Sequence, residues 1–199
     1  MISTEQRKAR QHTLGSSDAA SVVGKDPYRS AYETWLSKTG QLEETDEPPS
    51  EAARLGQLLE PAVLTWAADT FGLLLQRDVA VRHANGMLAA NLDGLALSAD
   101  PPCIVEAKTV GLLGGATADA WGDAETDDVP DHVLLQVTHQ LAVVNGALPG
   151  HRVSGPHLPS VEWALIPTLI ARRGLVMFRV PRDPDLEAAL VEAELAWWQ

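Results

Sequence analysis

The chain carries a single cysteine in 199 residues and has far fewer basic residues than acidic ones. With Cys103 alone, an intrachain disulfide and any cysteine-built zinc or iron–sulfur centre are excluded. A reducing cytoplasm fits that usage best. Its place in the apolar run Cys103-Ile104-Val105 makes it a buried small hydrophobe rather than a nucleophile. No apolar run approaches the roughly 20 residues of a bilayer-spanning helix, and the opening residues 1–13 lack an apolar signal core. Internal repeats, long linkers and an H-E-x-x-H motif are missing as well. Gly111-Leu112-Leu113-Gly114-Gly115 lacks the dinucleotide-binding and P-loop spacings, and Gly15-Ser16-Ser17 is not the G-x-S-x-G nucleophile elbow.

The shortage of positive charge bears directly on function. Fifteen Lys and Arg against 27 Asp and Glu give a formal net charge of −12. Proteins that grip DNA phosphates usually present a basic surface, because counterion release supplies much of their affinity. Net charge is nevertheless a poor guide to a local groove. Arg7, Lys8 and Arg10 open the chain, and Arg172 and Arg173 stand near its end. Asp119 to Asp131 holds six acids and no base, which suits a solvated loop turned away from DNA. This balance counts against tight binding of long DNA without magnesium or oligomerisation.

What is present is ordinary globular material, 45% hydrophobic and 21% charged, at a length suited to one domain over residues 1–199. Residues 1–72 read as the helical part and 73–199 as a sheet with helices. Residues 14–24 predict a short helix capped by Ser16 or Ser17 and stopped by Gly24; Ser30 caps another through Lys38. The helical spacing of Leu55, Leu58, Leu59, Leu64, Trp66 and Phe71 predicts a helix over 51–71, kinked or restarted at Pro61. Strands are expected at 73–82, 87–97, 102–110, 161–166 and 175–180, with Asn91 to Gly94 interrupting the second. Residues 131–146 predict an amphipathic helix. Asp183 caps a last one to Trp198, with Pro184 in first position. The Trp197-Trp198 pair reads as a packing or oligomer contact rather than a base-stacking platform. This order predicts an α/β or α+β fold, a central mixed β-sheet flanked by helices.

The residues that carry chemistry lie in the strand region. Hydrolysis of a phosphodiester by metal ions needs converging carboxylates plus a group that organises the attacking water. Asp93 lies at the break in one expected strand and Glu106 inside the next, where neighbouring strands would let them face each other, and Lys108 follows Glu106 by two, hence on the same face. An ammonium beside two carboxylates could ease hydroxide formation and stabilise charge growing on the phosphate. Taken alone, Glu106 and Lys108 suit a solvated strand face, and Asp93-Gly94 suits a hairpin turn.

In combination with other motifs, the chain resembles the phage lambda exonuclease and YqaJ-type viral recombinase nucleases of the PD-(D/E)XK superfamily. The resemblance runs in order through Leu14-Gly15-Ser16-Ser17-Asp18-Ala19-Ala20 with Asp26-Pro27-Tyr28, and Gly56-Gln57-Leu58-Leu59-Glu60-Pro61. It continues through Asn91-Leu92-Asp93-Gly94, Val105-Glu106-Ala107-Lys108, and Val129-Pro130 with Gln136-Val137-Thr138-His139-Gln140. It closes on Arg182-Asp183. It implies a restriction-endonuclease-like core in which Asp93, Glu106 and the Ala107 carbonyl ligate Mg2+, for which Mn2+ would substitute. It further implies that Lys108 is the catalytic lysine, that Glu60 stands near the metal, and that Gln136 orients the lysine or substrate. Gln140, one turn further along that helix, is a weaker candidate. Arg10 and Ser17 match positions that hold a 5′ phosphate. Two departures touch the substrate side: Val133 replaces a usual tyrosine, and Thr138 a second glutamine.

The implied activity is a magnesium-dependent exonuclease acting 5′-to-3′ on double-stranded DNA ends, with a single-strand annealing protein as partner and a homotrimeric ring as assembly. An endonuclease or nicking enzyme on the same scaffold, and an inactive DNA-binding module, are the rival expectations.

Overall fold

The computed structural model describes residues 12–42, 50–114, 118–152 and 160–199. Arg7, Lys8 and Arg10 therefore lie outside the described residues. The elements run β1 (Leu14–Gly15), a 3-10 turn (Ser16–Asp18), α1 (Ala19–Val22), α2 (Ala31–Lys38), α3 (Glu51–Phe71), β2 (Leu75–His83), β3 (Leu88–Ala96), β4 (Cys103–Val105) and β5 (Lys108–Val110). After a second 3-10 turn (Ala118–Ala120) come α4 (Asp131–Asn145), β6 (Ala147–Arg152), β7 (Trp163–Ile170), β8 (Gly174–Pro181) and α5 (Pro184–Trp198).

The strands form one mixed sheet in the order β5-β7-β4-β3-β2-β6, with β1 beside β3 and β8 beside β7. The expected fold class holds: a curled mixed sheet with helices on both faces. Alternation along the central strands sorts their side chains between two cores. Ile104, Ala164, Ile166 and Phe178 join Val133, Val137 and Leu141 of α4 on one face. Cys103, Val105, Leu165 and Met177 meet Leu64 and Ala67 of α3 on the other. Each fully buried Val, Leu or Ile contributes about 1.5–3 kcal/mol relative to exposure, so this double coverage anchors the sheet that bears the site. Trp197 and Trp198 pack against the first core, as the packing reading expects.

Several details differ from the sequence expectations. Residues 14–24 are not one helix: the chain starts as a strand, turns through 3-10 geometry, and makes a single α-helical turn. Neither Ser16 nor Ser17 supplies a side-chain cap. Instead the Asp18 carboxylate accepts from the Gly15 N–H at 2.8 Å. It also pairs with Arg29 and Lys38, both at 2.6 Å, so a buried acid holds the turn where a hydroxyl was expected. Pro61 neither ends nor restarts α3, which runs unbroken through it. Asn91 to Gly94 lie inside β3 rather than in a break. A strand at 147–152, with Pro149 and Gly150 in it, carries no pattern the sequence reading could use; it pairs irregularly with β2.

The most consequential difference concerns residues 102–110, which form two short strands in place of one. Cys103 pairs with Trp163 and Lys108 with Thr168, both in parallel register with β7, so the alignment is unchanged across the gap at Glu106 and Ala107. The Glu106 N–H still donates to Leu165 O at 3.0 Å. In a parallel ladder the next donor, reaching back to the Glu106 carbonyl, is the N–H of residue 167. Residue 167 is proline and has none. β7 continues through Pro167 to Ile170, past the expected end at Ile166.

Candidate active site

β3 and β4 are antiparallel with Gly94 opposite Val105, and one further step in that register sets Asp93 opposite Glu106. A Cβ on Gly94 would stand 3.2 Å from that of Val105, so glycine lets the two strands approach closely here. The Ala107 N–H donates to Asp93 Oδ2 at 2.9 Å, a side chain taking the place of a backbone acceptor.

Glu106 has the same parity as Ile104 and projects onto the face covered by α4. Its side chain is nearly buried and fully engaged. Oε1 accepts from Lys108 Nζ at 2.7 Å and from Gln136 Nε2 at 2.6 Å, while Oε2 accepts from Gln140 Nε2 at 2.7 Å. Lys108 Nζ also donates to Gln136 Oε1 at 2.8 Å, closing a triangle of carboxylate, ammonium and carboxamide. Gln136 and Gln140 are one turn apart on α4, so both reach the same acid. Gln140 Oε1 is buried and has no hydrogen-bond partner.

Glu60 comes from α3, across the sheet. Gly56, one turn earlier on that helix, lies so close to β5 that an added Cβ would be 3.3 Å from Thr109 Oγ1. Glu60 is half-buried and feels the charges of Glu106 and Asp78. Burial first, then the charges of Glu106 and Asp78, raise its pKa above the ordinary carboxylate value. Asp93 is pushed up to about 8, by burial first and then by the charges of Glu106 and Glu60. Asp78, in left-handed backbone at φ 53° inside β2, is a nearby acid that the sequence reading missed. Its only sequence signal is a charged residue between two strand-forming stretches.

The chain thus brings Asp93, Glu106, Lys108, Gln136 and Gln140 together, with Glu60 beside them. Ser17 is exposed on the 3-10 turn, and Arg29 Nη2 lies 3.4 Å from its carbonyl. Val133 is buried, and Thr138 turns its hydroxyl back onto Leu134 O at 2.8 Å. Sequence reasoning also missed His139. It is fully buried between Glu194 of α5, 2.7 Å from Nδ1, and Ala89 O of β3, 3.1 Å from Nε2. Cys103 is buried, and burial pushes its thiol up to about 12, which removes it from nucleophilic chemistry.

Among the described residues, no group of three or more His, Cys, Asp or Glu side chains is gathered tightly enough to hold a metal by itself. The donor set nonetheless suits a hard cation. Three carboxylates face one ammonium, and the pKa values of Asp93 and Glu60 are raised by burial first and by the neighbouring carboxylates second. Magnesium typically takes one or two protein carboxylates and keeps several waters, so an incomplete protein cage is what such an ion requires.

A family model for the YqaJ-like viral recombinase domain matches residues 6–147, well over half of the sequence. The chain belongs to that family. The YqaJ protein of Bacillus subtilis (strain 168), itself uncharacterized, is 29% identical over 191 residues, which is 95% of this chain and 53% of that protein. This YqaJ-family chain therefore spans about half the length of that curated relative. Among solved structures, the alkaline exonuclease LHK-Exo from Laribacter hongkongensis superposes with a TM-score of 0.66 at 16% identity, covering 98% of this chain and 91% of its own. That exonuclease has also been solved in complex with dAMP. A phage-related exonuclease from Haemophilus somnus 129PT gives 0.58 at 13% identity, covering 93% and 91%. At such identities the likeness shows the fold, which is restriction-endonuclease-like. Among the described residues no helix is long and apolar enough to cross a membrane.

Proposed function

We propose that this YqaJ-family chain is a divalent-metal-dependent deoxyribonuclease of the PD-(D/E)XK type that removes nucleotides from double-stranded DNA ends. The observation that carries the reading is the Lys108 ammonium held 2.7 Å from Glu106 and 2.8 Å from Gln136, beside Asp93. Asp93, Glu106 and the Ala107 carbonyl would hold Mg2+, with Mn2+ as a substitute and Glu60 close by. In extended backbone the N–H and C=O of one residue face the same neighbour, so the carbonyl of Ala107 is turned toward the side of Asp93. When bound, the ion supplies Lewis-acid stabilisation of the negative charge on the phosphate.

The protein's own groups do the rest. Lys108 orients the attacking water and offsets the charge that grows as its oxygen bonds to phosphorus and the P–O bond to the leaving nucleotide breaks. The attacking water gives up a proton to solvent, and the leaving oxygen takes one from solvent. Gln136 holds the ammonium in place, and Gln140 fixes the second oxygen of Glu106. Ser17, with Arg10, would receive a 5′ phosphate. Polarity from 5′ to 3′, a trimeric ring and an annealing partner follow from family resemblance, and they concern the assembled protein rather than this site.

The test is Mg2+-dependent digestion by wild type and Lys108→Ala, with linear and closed circular duplexes side by side. Loss of at least ~100-fold in Lys108→Ala is expected, the size associated with removing one group that stabilises transition-state charge. Rapid cutting of circles would replace the exonuclease reading with an endonuclease. Undiminished digestion by Lys108→Ala would end the assignment.

A further inference from the structure

His139 is fully buried in the middle of α4, and the hydrolytic reading gives it no role. It lies three residues after Gln136 and directly before Gln140, the two side chains that hold Glu106. Its own ring turns to different neighbours. Nδ1 stands 2.7 Å from Glu194 Oε1 of α5, and Nε2 stands 3.1 Å from the Ala89 carbonyl of β3. Ala89 precedes Asp93 by four residues in the same strand. One imidazole therefore fixes α4 against both α5 and the strand that carries Asp93.

The geometry also fixes the proton count. A carbonyl oxygen only accepts, so Nε2 carries a hydrogen and donates it to Ala89. Nδ1 and Glu194 Oε1 then face each other at 2.7 Å, and they attract only when one proton lies between them. Without it, a nitrogen lone pair would confront a carboxylate in a site closed to water. Glu194 Oε2 is buried and has no partner among the described residues, so the shared proton is what secures this acid. Burial opposes a charged imidazole, but the hydrogen bond and charge of Glu194 outweigh it, with the Ala89 carbonyl and Asp18 adding to them. The net shift is upward from 6.5, so the proton leaves on the alkaline side. Asp18, in the 3-10 turn, is itself paired with Arg29 and Lys38. Around the rest of α4, α1 and β7 hold no ionisable side chain. β2 presents Val79 and Val81 to the same core, while its Arg77 reaches Thr65 of α3. His83 of β2 stands against Gly146, about two turns further along α4, and Glu187 of α5 is held by Arg182.

We infer that His139 is a positioning residue: the proton it shares with Glu194 ties α5 and β3 to α4, and so sets where Gln136 and Gln140 hold Glu106 and Lys108. The inference rests on the nuclease reading above and extends it to a residue that touches none of the reacting groups. Gln136 donates to Glu106 and accepts from Lys108, so a small rotation of α4 disturbs two contacts at once. A misplacement of about 1 Å can cost on the order of 100-fold in rate. As pH climbs and the shared proton leaves, Glu194 is repelled from Nδ1 and α5 loosens from α4. The glutamines then lose their register on the acid, and turnover falls with every catalytic group still present.

The test compares the full chain as wild type, Glu194→Gln and His139→Leu in Mg2+-dependent digestion across pH. Glutamine at 194 can donate an amide hydrogen to a neutral Nδ1, which keeps the link without a titrating proton. Glu194→Gln should therefore hold its kcat into the alkaline range where that of wild type declines. His139→Leu should lose about 10–100-fold in kcat with KM for DNA little changed, the size expected when an orienting partner goes. Glu194→Gln decides the matter even where His139→Leu does not fold. A second readout needs no turnover: the side-chain carboxamide signals of Gln136 and Gln140, followed by NMR in the metal-free protein. In wild type they should shift with pH as the His139 imidazole titrates, and in Glu194→Gln they should stay level over that range. Coincident alkaline profiles in the two proteins, with carboxamide signals that ignore His139, would overturn the inference. A purely structural His139 gives that same negative result, since a lower melting temperature moves neither the profile nor the signals. A wild type that digests nothing, yet whose carboxamides follow His139, would support the link and reject the nuclease reading alone.

Discussion

Gln136 Oε1 lies 2.8 Å from the Lys108 ammonium, so a residue of α4 shares control of where the ammonium of β5 points. Its Nε2 grips Glu106 at the same time, which makes one carboxamide responsible for the spacing of an acid and a base. Removing it leaves both chemical groups present but unguided. Gln136→Ala is expected to lower kcat about 10–100-fold, the usual effect of losing an orienting partner, while the melting temperature changes little.

Gln140 acts on the other oxygen of Glu106, away from Lys108. Gln140→Ala should therefore show itself in the metal requirement. The Mg2+ concentration for half-maximal activity is expected to rise about 10–100-fold, with kcat at saturating Mg2+ near that of the parent. A fall in kcat without any change in metal requirement would place Gln140 elsewhere in the mechanism.

Gly56 separates helix stability from activity. Alanine in a helix interior is favoured over glycine by about 0.5–1 kcal/mol. At this position, however, the new methyl would press on Thr109 at 3.3 Å. Gly56→Ala should leave the thermal midpoint level or raised while activity falls several-fold, because α3 shifts outward and carries Glu60 with it. Calorimetry and a digestion assay on the same sample check both halves.

Asp18 is a structural acid. Its carboxylate holds Arg29, Lys38 and the Gly15 N–H. Asp18→Asn leaves the largely buried Lys38 beside a neutral amide, and a loss of roughly 3 kcal/mol in unfolding free energy is expected by urea titration.

Stability should fall at both ends of the pH range for separate reasons. Burial alone would raise the pKa of Asp18, but Lys38, the Gly15 N–H and Arg29 outweigh it, and the net shift is downward from 3.8. Its contribution is complete above that ordinary value and disappears as pH drops through the lower folded one. Burial alone would lower the pKa of His139, but the hydrogen bond and charge of Glu194 prevail, and the net shift is upward from 6.5. Its contribution is complete below 6.5 and disappears as pH climbs through the higher folded value. His139→Gln should flatten the alkaline limb and spare the acidic one, as read from melting temperatures across pH.

Much of this was legible in the sequence. Alternation and capping residues marked β2, β8, α2, α4 and α5 closely, and β3 apart from the break expected at Asn91 to Gly94, since Ser30 and Asp183 cap as expected and local signals dominate there. Asp93, Glu106 and Lys108 were readable because two adjacent strands need only short-range register to bring them together. The irregular strand Ala147–Arg152 was not, because its pairing with β2 depends on distant chain rather than on its own pattern. His139 was missed for a related reason. Its partners, Glu194 and Ala89, are 55 and 50 residues away, and a lone histidine in an apolar helix gives no sign of them. Tyr28 and His132 meet across about twice that span, and their contact was equally silent.

Pro167 gives the molecule a deliberate dropped stitch. Valine at that position would return the absent donor, tie the Glu106 carbonyl back into the weave and merge two short strands into one. Such a chain should melt at a higher temperature and turn over more slowly, trading reactivity for regularity at a residue that bears no charge.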